Sequence, residues 1–72
     1  MLRCLFYFTL RCLTETEELG WLDLASSAAA RREALKIAEA YRAAMIAEGE
    51  DPTICAIEIS NESHQVIELV PL

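Results

Sequence analysis

One segment limits what this chain can become: residues 26–48, SSAAARREALKIAEAYRAAMIAE, the only stretch with a long helical period. At about 100° per residue, Ala30, Ala34, Ile37, Ala38, Tyr41, Ala44 and Met45 form one run of i, i+3 and i+4 neighbours. That run predicts a buried stripe, with Arg31, Arg32, Glu33, Lys36, Glu39 and Arg42 left in water. The alanines allow close approach to whatever the helix covers, and Ile37, Tyr41 and Met45 are the larger plugs. Leu35 and Ile46 lie off the stripe and are expected to be more exposed than Ile37 and Tyr41. Ser26 or Ser27 can cap the first amides, and Gly49 suits the left-handed position that ends a helix, with Pro52 soon after. Pairs such as Glu33 with Lys36 and Glu39 with Arg42 adjust such a helix by only about 0.2 to 0.5 kcal/mol each.

The flanks carry a different period. From Leu2 to Cys12 every even position is apolar, while Arg3, Thr9 and Arg11 interrupt the odd ones. This alternation predicts a strand near residues 2–12 with one face on the core. Residues 14–18 are polar and acidic and read as a turn or exposed edge with room for a short return strand. Leu19 to Leu24 then lead into the helix, with Gly20 free to take an unusual backbone angle. Trp21 and Leu24 are expected to be at least partly buried, Trp21 sealing the end of the core. After the helix, residues 54–60 alternate, residues 61–64 have turn chemistry, and residues 65–70 read as the returning strand of a hairpin. The expected fold is a single α+β domain over residues 1–72, with two layers: one amphipathic helix on a small antiparallel sheet, in β(β)αββ order.

A 72-residue chain can bury only about 60% of its unfolded surface. Yet 54% of its residues are hydrophobic and its mean hydropathy is +0.25. That excess predicts a homo-oligomer, a dimer in the first place. Twelve acids against six bases give a net charge of −6, which argues against nucleic acid as a partner and leaves room for a basic protein partner. The opening apolar run is interrupted at Arg11 and is shorter than the ~20 residues of a membrane span. No membrane association is expected.

Chemistry is sparse. Cys4, Cys12 and Cys55 form no tight ligand pair, and the first two lie ~26 Å apart along one extended strand. A Cys3His zinc set with His64 is therefore disfavoured, and neither metal nor cofactor is expected. An odd cysteine count without a CxxC pair is read as three reduced thiols in a cytoplasmic setting. His64 is the only histidine, so a nucleophile with its base reduces to Cys55 with His64 across the last hairpin. A solvated turn histidine is the simpler reading. Glu15, Glu17 and Glu18 lack the ligand pattern and glycine of a calcium loop and read as a solvated, edge-guarding turn.

The order of features resembles a family of small bacterial proteins catalogued only as a domain of unknown function. Its members open with Arg-Tyr-Phe-Phe, carry an Asp-x-x-Gly segment before an Ala-Arg-x-Glu-Ala helix, and end on Val-Pro-Phe. The corresponding residues here are Arg3-Cys4-Leu5-Phe6, Glu17-Glu18-Leu19-Gly20, Ala30-Arg31-Arg32-Glu33-Ala34, Ile57-Glu58-Ile59-Ser60-Asn61 and Val70-Pro71-Leu72. Here Cys4 and Leu5 replace aromatic residues, Leu72 replaces the aromatic end, Asn61 replaces Asp, and His64 stands where the turn glycine is usual. The resemblance implies a fold and a bacterial cytosolic setting, and brings no activity with it.

Two functional classes fit. The first is a non-catalytic, self-associating protein-interaction or regulatory module. The second is a small-ligand binder or minor enzyme whose site forms at a dimer interface and uses Tyr7, Trp21 or His64.

Overall fold

The computed structural model describes residues 3–72. Its elements are β1 (Cys4–Cys12), β2 (Thr16–Leu24), α1 (Ser27–Ala47), a single 3-10 turn (Pro52–Ile54), β3 (Cys55–Ser60) and β4 (Val66–Pro71). The four strands form one antiparallel sheet in the order β2-β1-β3-β4, covered on one face by α1. This is the expected two-layer α+β arrangement. Leu2, where the first strand was expected to begin, lies outside the described residues.

The helix is set by its ends and its stripe. Ser26 caps it, its hydroxyl accepting from the Ala29 N–H at 3.1 Å, and Gly49 ends it at φ +78°. Ala30, Ala34 and Ala38 are buried, one turn apart, and meet Phe6, Phe8, Ile57, Ile59 and Val70 from the sheet. Ile37 packs against this cluster half-buried, and Tyr41 and Met45 are half-buried further along. Leu35 and Ile46 are 46% and 54% exposed, more than Ile37 and Tyr41, as their place off the stripe requires. Ala44, expected in the buried stripe, is exposed, so at this end only Tyr41 and Met45 of the stripe are half-buried.

Strand β2 departs from expectation. Residues 14–18 suggest a turn or exposed edge with room for only a short return strand, and Leu19 to Leu24 a lead-in, yet Thr16–Leu24 is a full nine-residue strand paired along β1. A bulge explains why alternation does not show it. The register runs Phe8↔Gly20 and then Thr9↔Glu18, so Leu19 is an extra residue. Gly20 takes φ +120° at that point, and Leu19 packs on the core. The bulge resets the period of two, so Leu19, Leu22 and Leu24 never read as one face.

The cysteines also correct the thiol reading. Cys12 and Cys55 sit opposite each other on β1 and β3, with Cα atoms 4.1 Å apart, and form a disulfide. That spacing belongs to a non-hydrogen-bonded cross-strand pair, where side chains come closest. The bond joins positions 43 residues apart and so spans β2 and the whole of α1. Cys4 alone is free, and it is exposed.

Candidate aromatic cleft on the uncovered sheet face

Because Phe6 and Phe8 point at α1, the odd residues of β1 occupy the opposite face, which no helix or strand among the described residues covers. The register then dictates the neighbours. Tyr7 lies between Trp21 on β2 and Ser60 on β3, and one step along Thr9 lies between Glu18 and Glu58. Trp21 therefore stands on the uncovered face and is 60% exposed. The expectation that it seals the core fails for that reason, while Leu24 is half-buried as expected.

His64 arrives from the turn between β3 and β4. Asn61 organises that turn, its side-chain oxygen accepting from the N–H groups of Ser63 and Gln65 at 2.9 and 3.0 Å. The Glu62 carboxylate accepts from the Leu5 N–H at 3.0 Å and ties the turn to β1. His64 takes φ +62°, the left-handed geometry that its place at a turn-glycine position implies. Its ring comes to rest 5.1 Å from that of Tyr7, tilted by 35°. Cys55 is on the other face in its disulfide, so the pairing of Cys55 with His64 does not occur.

Tyr7, Trp21 and His64 thus line one cleft of about 350 Å³ within a single chain, together with Thr9, Glu18 and Ser60. Sequence reasoning named the three rings and missed Glu18, Thr9 and Ser60 as their neighbours. The β2 bulge and the β1–β3 register place them there, and neither is visible in a hydrophobic pattern.

The charges around the cleft are mostly paired. Glu58, with its side chain 12% exposed, accepts from Arg11 Nε at 2.7 Å and from Nη2 at 3.4 Å. Arg3 lies 3.7 Å from Asp23. The other four bases, Arg31, Arg32, Lys36 and Arg42, are all on α1, in the opposite layer. Among the described residues no lysine or arginine lines the cleft, and no ion pair holds Glu18.

A second, smaller hollow of about 200 Å³ lies on the helix side, beside the disulfide, and includes Glu15, Glu17, Glu50 and Tyr41. Burial, and then the neighbouring Glu17 that accepts its hydrogen bond at 3.4 Å, raise the Tyr41 pKa. Tyr41 stays a neutral donor there. Among the described residues no group of three or more histidine, cysteine or acidic side chains could hold a metal ion, and no helix is long and apolar enough to cross a membrane.

A four-stranded sheet with one covering helix and an aromatic cleft on its bare face defines a small α+β domain in ββαββ order. The family model described as "Domain of unknown function (DUF6894)" matches residues 5–72, and the chain belongs to that family. Neither a curated protein nor a solved structure matches the chain significantly.

Proposed function

We propose that the chain is a non-catalytic, self-associating protein-interaction module whose copies pair through the free edge of β4. The observation that carries this reading is the contrast between the two sheet edges. The β2 edge strand bears Glu17, Glu18 and Asp23 and is broken by the Gly20 bulge, both devices that discourage strand addition. On β4, Val66, Ile67 and Leu69 are 53%, 40% and 54% exposed. Its only charge, Glu68, is 2.9 Å from Arg31, so two copies meet without an unpaired acid between them.

The hydrogen-bond parity of β4 supports the same edge. The Leu72 N–H donates to the Cys55 carbonyl, and Ile57 pairs with Val70, so the backbone groups of Leu69 point away from β3. Pro71 follows with no N–H to offer, which limits the free edge to a short segment. Leu35, Ala38, Pro71 and Leu72 line a shallow groove beside it, with Glu39 and Arg42 also in its wall on the helix flank.

The test is sedimentation of the wild type against Leu69→Lys. Leu69 is exposed in one chain, so the substitution leaves the monomer folded and reduces association at least tenfold. Unchanged sedimentation of a folded Leu69→Lys protein rejects the β4 edge.

A further inference from the structure

We infer that the cleft between Trp21, Tyr7 and His64 receives one cationic side chain, an arginine in the first place, from a basic segment of a partner protein. The inference rests on the interaction-module reading and names the chemistry of a partner for it.

Three observations lead there. Ring side chains from β1, β2 and the β3–β4 turn meet on one face, and the Trp21 ring is mostly uncovered. Aromatic faces carry partial negative charge and attract organic cations. Glu18 lines the same cleft, opposite Thr9 in the register, and among the described residues no base neutralises it. Finally, Arg11 is committed to Glu58 and Arg3 to Asp23, while the remaining lysine and arginines sit on α1, so no guanidinium or ammonium of this chain fills the space, and His64 enters it as a ring in the wall.

Other occupants fit less well. A hard metal ion needs several oxygen ligands, and the cleft offers one carboxylate. A nucleic acid strand could stack on the rings, but its phosphates would meet Glu18 and a chain of net charge −6, with no lysine or arginine among the residues that line the cleft. About 350 Å³ is the low end for a ligand site and suits one side chain better than a large cofactor. Arginine is preferred to lysine because its planar head can stack on a ring while its edge donates to a carboxylate or to the hydroxyls of Thr9 and Ser60.

The experiment titrates the full chain with the blocked peptide Gly-Gly-Arg-Gly-Gly and with its citrulline counterpart, which keeps the shape and loses the charge. Trp21, the sole tryptophan, reports binding by fluorescence, and sedimentation of the same samples reports subunit number. We expect saturation in the millimolar range, about tenfold weaker binding of the citrulline peptide, and about fivefold weaker binding to Glu18→Gln. Equal binding of both peptides overturns the proposal. So does an unaffected Glu18→Gln, or saturation by an oligothymidine strand with no response to the arginine peptide. A monomer that binds the arginine peptide rejects β4 association and upholds the cleft. An oligomer that binds neither peptide does the reverse.

Discussion

Removing the Cys12–Cys55 bond, by reduction or in a Cys12→Ser/Cys55→Ser variant, is expected to cost a large part of the fold's stability. The bond closes a loop across 43 residues. In the chain-entropy treatment, a loop of that length lowers the entropy of the unfolded state enough to stabilise the fold by about 4 kcal/mol. A domain of this size has only about 4 to 11 kcal/mol in total. At about 4 to 8 °C per kcal/mol, the midpoint of thermal unfolding should fall by roughly 15 to 30 °C. Circular dichroism melts of the oxidised protein, of the protein in excess phosphine reductant, and of the double variant measure this. The variant should ignore the reductant, and Cys4→Ser should melt like the wild type because Cys4 is free and exposed. Alkylation of the denatured, unreduced protein should label one cysteine, and labelling after reduction should reach all three. A reduced midpoint within about 2 °C of the oxidised one would refute the loop-closure reasoning.

Four other predictions probe the packing and the charges. Ala34→Asp places an unpaired carboxylate at a position with no exposure, between α1 and the sheet, and should unfold the domain; an unchanged melt rejects the seam. Arg11→Ala strips the partner from a nearly buried Glu58 and should cost about 1 to 3 kcal/mol in urea unfolding. Arg3→Ala, at a half-exposed pair 3.7 Å apart, should cost under about 1 kcal/mol. Asp51 accepts from the Thr53 hydroxyl at 2.7 Å and from its N–H at 2.9 Å, and these bonds lower its pKa. Its folded pKa lies below the unfolded one, so its stabilising effect is present above the unfolded value and is lost as pH falls through the folded one. NMR titration should show Thr53→Val moving Asp51 back up, and an unmoved Asp51 would contradict the role of the hydroxyl bond.

How much of this was legible in the residues varied with the kind of signal. The helix, its serine cap and its glycine end follow from local periodicity and backbone preference, and Ala30, Ala34 and Ala38 face the core as the wheel requires. His64 at positive φ follows from turn chemistry. Features that depend on register do not show in one strand alone. Trp21 opposes Tyr7 only because β2 pairs with β1, and that pairing is masked by the Leu19 bulge. Cys12 meets Cys55 only because β1 and β3 align from Tyr7↔Ser60 to their other end, across a separation no spacing rule covers. Tyr7, Trp21 and His64 stand out in the sequence as candidates for a site at a dimer interface, and only the aligned strands bring them together with Glu18 in a single chain.

The measurement that bears most directly on the central claim is a native mass spectrum of the purified protein at tens of micromolar. β4 pairing predicts a species at twice the 8.1 kDa chain mass, depleted in Leu69→Lys and retained in Trp21→Ala. A wild-type spectrum showing only the single chain would contradict self-association.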